Sequence, residues 1–148
     1  MIWRYSHRAD RRVRPLADRH YNRQKIGARQ FVPPGRCLVL YADNRYGEAF
    51  WITSWPFAEF VKHAWPGAWI CSAFRNEGAG VASDLIRDAV AATRAVMGEP
   101  PSIGMITFVD RSKVRSTKVR GKDVYGWSFR RAGFVEVGDT ASGLLALH

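Results

Sequence analysis

The sequence predicts an α/β domain in which a mixed central sheet is flanked by helices. Three observations predict it. Residues 69–74 (WICSAF) form a nearly continuous apolar run, as a strand covered on both faces requires. From Val81, positions 81, 82, 85, 86, 89, 90, 93, 96 and 97 keep helical spacing, while Asp84, Arg87, Asp88 and Arg94 take the opposite face. Gly98 and the Pro100-Pro101 pair end that helix, and residues 103–109 form a second apolar run, so strand, turn, helix and strand read as one parallel crossover.

The remaining elements follow in chain order. Pro15, residues 16–26 and Gly27 have the order of a short helix, proline at its first turn and glycine past its end, with His20 and Tyr21 riding on it. After the turn Pro33-Pro34-Gly35, residues 37–41 and 49–53 read as two strands joined through the polar turn ADNRYGE. Residues 57–65 suggest a short helix with Phe57, Phe60, Val61 and Ala64 on one face. Residues 111–122 read as a basic loop. A short helix over 124–132 then leads through Gly133-Phe134 into a strand at 135–137, a turn DTASG and a last strand at 144–148.

A chain of 148 residues is the size of one domain, 1–148, with 1–35 as a basic amino-terminal extension. Its 47% hydrophobic content, with six Trp and eight Phe, excludes a disordered chain. Cys37 and Cys71 are far apart in sequence and sit in apolar runs, which points to buried thiols and a reducing compartment. No apolar stretch is long enough to cross a bilayer, and no hydrophobic signal core follows the charged start, so a cytoplasmic protein without a membrane partner is expected. Homodimerisation stays open.

The net charge of +10 and pI near 10.3 are unevenly distributed. Ten basic residues precede Cys37 against only Asp10 and Asp18, and residues 111–122 carry six cations and no acid. Concentrated charge of this kind is a footprint for phosphates and points to a polyanionic partner, touched by Arg11, Arg12, Arg14, Arg111, Lys113, Arg115 and Lys118. A solvated basic rim is the plainer alternative.

Between the first buried strand and the long helix lies RNEGAGV, residues 75–81. A strand-to-helix turn offers unpaired N–H groups, and glycines let an anion come close. As a dinucleotide fingerprint it fails, because Ser83 stands where the third glycine belongs. Arg75, Gly78 and Gly80 match R-x-x-G-x-G, and this resembles the diphosphate signature of GNAT acyltransferases over residues 36–148. The resemblance implies a GNAT-like mixed sheet with splayed parallel central strands. It also implies acetyl-CoA or a related acyl-CoA as the small-molecule partner, held by Phe74, Arg75, Gly78, Ala79, Gly80 and Val81. The chain departs from the family at Phe129, where many members have a proton-donating tyrosine; Tyr125 is then the substitute, or the chemistry is not ordinary acetyl transfer.

The segment ADRHYNRQKIG, with FVPPGRCLVLY behind it, is not a general GNAT feature. Together with the loop at Arg75 and with Asp110 after the second buried strand, it resembles the phage Mom family of DNA adenine modification proteins. That resemblance implies a transferase that converts adenine in duplex DNA to an N6-carbamoylmethyl-type derivative and shields phage DNA from restriction. It implies catalytic roles at His20, Tyr21 and Asp110, and an iron centre at His20 and Asp110. Read from the residues alone, His20 serves equally as a helix histidine, Tyr21 as a packing residue and Asp110 as a turn cap. A conventional acetyl-CoA-dependent N-acetyltransferase is the alternative. An enzyme that reaches a paired base must extrude it, and Trp3, Tyr5, Tyr21 and Trp127 are the aromatic candidates to replace lost stacking, with a core role as the default for each.

Overall fold

Strands β2 (Arg36–Asn44) and β3 (Gly47–Trp55) show how the sheet is built. Side chains alternate along a strand, so Leu38, Leu40, Ala42, Ala49 and Trp51 enter one apolar layer, and Val39, Tyr41, Phe50 and Ile52 enter another on the opposite face. The computed structural model describes residues 2–20, 23, 25–32, 35–56, 61, 64–140 and 143–148. The expected helix over 57–65 falls largely outside these residues.

The other strands are β1 (Arg4–Ser6), β4 (Trp69–Glu77), β5 (Met105–Val109), β6 (Thr117–Val119), β7 (Lys122–Val124), β8 (Glu136–Asp139) and β9 (Leu145–Leu147). With β2 and β3, five of these form one seven-stranded sheet in the order β1-β2-β3-β4-β5-β9-β8, and β6 pairs with β7 in a separate ribbon. Strands β4 and β5 are parallel and the other pairs are antiparallel. Helix α2 (Ala82–Met97) makes the crossover between β4 and β5, as its periodicity predicted, and ends at Gly98. Its Leu85, Ile86, Ala89 and Ala92 pack on Trp51, Trp69 and Leu147.

The expected GNAT-like architecture, a sheet flanked by helices, is corrected. Among the described residues the protein is sheet-dominated, 37% strand and 19% helix, with a seven-stranded mixed sheet and three helices. Helices α1 (Arg14–Asp18) and α3 (Trp127–Arg131) have five residues each. Opposite α2, the second apolar layer is closed by Val13, Leu16, Ala17, Phe31 and Val32, of which Leu16 and Ala17 lie in the one-turn helix α1.

The first helix stops far short of the expected residue 26 because its own polar groups turn the chain back. Asp18 Oδ1 accepts from Arg23 Nε at 2.8 Å and from the Gly27 amide at 3.1 Å, and Arg23 donates onward to the Ala28 and Gln30 carbonyls. The amino-terminal segment is stitched into the body: β1 pairs with β2, and the buried Trp3 indole donates to the Leu85 carbonyl at 2.8 Å. Trp3 is thus a core residue, while Tyr5 is exposed. Cys71 is buried and Cys37 half-buried, and both are free thiols; burial pushes the Cys71 thiol far above its ordinary range. Among the described residues no helix is long and apolar enough to cross a membrane.

Candidate functional site

Strands β4 and β5 stay paired only at Trp69 with Met105, Ile70 with Ile106, and Cys71 with Thr107. Beyond that register β4 runs on to Glu77 and β5 to Val109, and a cavity of about 250 Å³ opens between them. Residues 71–74 and 107–109 form its strand walls, and His20, Arg115, Thr117, Trp127 and Phe129 close the rest. Phe129 lies against Phe74 with ring centroids 6.0 Å apart, and both rest on the fully buried Trp51. The wall therefore combines flat apolar rings with hydroxyls at Ser72, Thr107, Thr117 and Ser128, one imidazole and one guanidinium.

His20 reaches the cavity because α1 ends just before it, with the His20 amide still bonded to the Ala17 carbonyl at 3.1 Å. Its ring stands edge-on to Phe50 at 6.2 Å. Tyr21 lies outside the described residues.

Asp110 does not join His20 on the cavity wall, although its neighbour Val109 does. Its carboxylate instead organises the following turn, accepting from the Ser112 hydroxyl at 2.6 Å and the Ser112 amide at 3.0 Å, with Lys113 Nζ at 3.9 Å. These bonds, and after them the charge of Lys113, hold its pKa below the ordinary aspartate value. Asp110 is a turn cap in this structure. As iron donors the two expected ligands do not fit: only His20 lines the cavity, and among the described residues no three His, Cys, Asp or Glu side chains gather into a metal site. Tyr125 also lies off the cavity, packed against the main apolar layer with its carbonyl accepting from Arg130 Nε at 2.8 Å.

The segment expected to seat a diphosphate is differently employed. Arg75 belongs to β4, opposite Phe50 of β3, and donates to Glu77 Oε2 at 2.5 Å. Residues two apart share a strand face, which is why they meet. Glu77 also takes a two-pronged ion pair from Arg19, at 2.7 and 2.8 Å, and Arg19 first, then Arg75, lower its pKa to about 2. An anionic cofactor approaching Arg75 would meet a seated carboxylate, so this arginine does not fit a diphosphate role. Of the six residues expected to hold acyl-CoA, Phe74 alone lines the cavity. Ala79 is buried, its amide bound by Asn76 and its carbonyl by Asn44, and Val81 is exposed.

Gly78 has a packing reason of its own: φ is +92°, and a Cβ there would lie 2.9 Å from the Tyr46 carbonyl oxygen. Gly80 has ordinary backbone geometry and room for a methyl. Gly78→Ala should therefore destabilise the protein by about 1–3 kcal/mol, whereas Gly80→Ala should stay within about 0.5 kcal/mol. Urea unfolding of the two variants checks this. A Gly80→Ala protein of normal stability that loses activity would restore a ligand to this loop.

Most of the cations expected to touch DNA are committed internally. Arg12 pairs with Asp10 at 2.8 Å and stacks on Tyr41, Arg111 pairs with Asp139 at 3.1 Å, and Lys118 pairs with Asp123 at 2.8 Å. Arg14 donates to the Arg29 carbonyl at 3.4 Å and has no carboxylate partner among the described residues. Arg11 and Arg115 have no carboxylate partner among the described residues, and Arg115 is the one on the cavity. Sequence reasoning missed Ser72, Thr107 and Thr117 altogether, and it took the ring of Phe129 for a lost proton donor rather than a wall. A second cavity of about 480 Å³, lined by Trp69, Arg94, Phe134 and His148 among others, contains no residue foreseen as functional.

No protein-family model, curated protein or solved structure matches the chain.

Proposed function

We propose that this protein is a DNA-modifying transferase that takes an extruded adenine into the cavity between β4 and β5 and alters its N6 amine. The observation that carries the reading is the cavity wall: aromatic rings at Phe74, Phe129 and Trp127, the first two edge-on to each other, with an imidazole at His20 and a guanidinium at Arg115. A flipped base needs aromatic surfaces to replace stacking, polar groups for its edge and cations for its flanking phosphates. At about 250 Å³ the space lies below the roughly 300–1,000 Å³ typical of drug-sized ligands, which suits one planar ring system. In this reading the N6 nitrogen forms its new bond to the methylene carbon of a carbamoylmethyl donor whose leaving group departs with the bonding electrons, His20 takes the proton that N6 loses, and the aromatic walls exclude water. The product is an N6-carbamoylmethyl-type adenine, as the likeness to Mom proteins implies, and its consequence is resistance to restriction enzymes. The conventional acetyltransferase reading is the weaker one, since Arg75 is already matched by Glu77.

The test is to digest DNA from cells producing the protein to nucleosides and analyse them by mass spectrometry. A modified deoxyadenosine, absent from cells without the protein, is the expected result. Well-expressed, folded protein and only ordinary deoxyadenosine would overturn the reading.

A further inference from the structure

The sequence suggests an irregular basic loop over residues 111–122, but its second half is a built element. Thr117–Val119 and Lys122–Val124 form an antiparallel ribbon in the register Thr117 with Val124, Lys118 with Asp123, and Val119 with Lys122. Its tip is the two-residue turn Arg120-Gly121, with φ of +53° and +79°. Positive φ at both central positions is the turn that matches strand twist, and glycine at the second is the usual choice. Arginine at the first position is not: a left-handed backbone is a cost for a residue with a Cβ. The ribbon belongs to no larger sheet, and a two-stranded hairpin by itself is marginal in water.

Charge and position then combine. Lys118 is matched across the ribbon by Asp123, but Arg120 at the tip and Lys122 beside it have no carboxylate among the described residues. Lys122 lies opposite Val119 and so shares a ribbon face with Thr117, which lines the base cavity at the root of the same hairpin. Arg115, two residues before Thr117, lines that cavity as well.

We infer that the β6–β7 ribbon is the element that enters the major groove of duplex DNA beside the target base, with Arg120 carried to the groove floor and Lys122 on the backbone. The inference rests on the function proposed above and names the element that docks its substrate. The B-form major groove admits a two-stranded ribbon, and an arginine there meets guanine edges in a forked geometry. The deep, narrow major groove of duplex RNA does not admit one, so the partner is DNA. Arg120 and Lys122 of the ribbon replace Arg12, Arg111 and Lys118, which are held by carboxylates, as the principal docking cations.

The test uses the full chain and fluorescent duplexes, with binding measured by anisotropy across a salt series. R120A/K122A should weaken DNA binding at least tenfold and flatten the dependence of log K on log salt by about 1–2, at ~0.9 for each phosphate no longer neutralised. G121V leaves the charge intact, but its β-branched side chain is strained at φ +79°; it should also weaken binding severalfold. R94A removes the same kind of charge at the second cavity and should change neither quantity. The inference is overturned if R120A/K122A binds as wild type does, if R94A weakens binding equally, if duplex RNA competes as well as duplex DNA, or if wild type binds no duplex DNA. Unchanged binding by R120A/K122A with modified nucleoside still formed retires the ribbon alone. Loss of binding in that variant, with no modified nucleoside from wild type, retires the modification chemistry and keeps the ribbon.

Discussion

DNA from cells producing the His20→Ala protein is expected to contain modified deoxyadenosine at about one-hundredth of the wild-type level or less, because general acid–base groups contribute about 10²–10⁴-fold. His20 is the sole imidazole on the cavity wall among the described residues. Loss of the fold is not the expected cause. The ring packs edge-on against Phe50 at 6.2 Å. An aromatic pair of that kind contributes about 0.5–1.5 kcal/mol beyond its area. Unfolding midpoints measured beside the nucleoside assay separate the two causes: a small shift with product gone supports the chemical role. A folded His20→Ala protein that still modifies DNA removes the histidine from the mechanism.

Asp110→Ala is expected to behave differently, although the sequence pattern groups the two residues. Asp110 braces Ser112 at the root of the basic segment, so its loss should loosen the turn before it touches chemistry.

Trp51→Ala is expected to have the largest effect on stability, a loss of about 3–5 kcal/mol. That is a large share of the roughly 5–15 kcal/mol that holds a domain folded. Trp51 is fully buried at the centre of the sheet. Its indole donates to Thr53 Oγ1 at 2.6 Å, Thr53 lies 2.9 Å from Thr93 Oγ1, and Thr93 bonds the Ala89 carbonyl at 2.8 Å, so one chain of bonds ties β3 to α2. Its ring also supports Phe74 and Phe129, at centroid distances of 5.8 and 6.2 Å, so the substitution undermines the floor of the cavity. Trp51→Phe keeps a ring there and should keep part of the stability. Urea unfolding of both variants is the measurement. A loss below about 1 kcal/mol for Trp51→Ala would mean that the site collapses to fill the void, against the packing described.

The elements that could be read from sequence are those with a strong apolar period. Helix α2 repeats every three to four residues, and β4 and β5 are apolar runs bounded by glycine and proline, so the parallel crossover is legible in the residue pattern alone. The β6–β7 ribbon is not. Its residues are mostly polar and charged, and a hairpin that stands outside the core has no buried face to imprint a period of two. Arg75 reads as part of a loop because RNEG looks like a turn, yet β3 supplies a partner strand as far as Asn76, and pairing extends β4 past the apolar run.

By itself the sequence determined the charge, its two concentrations, the buried crossover and the presence of an imidazole near the amino terminus. Only the tertiary structure decided that His20 faces a cavity and Asp110 caps a turn, that Glu77 occupies Arg75, and that one sheet face is closed largely without helices. The physical reason is that composition and periodicity report how much of a residue is buried. The partner of a polar side chain is set by chain reversals such as the one Asp18 and Arg23 make, and by the point where two paired strands part.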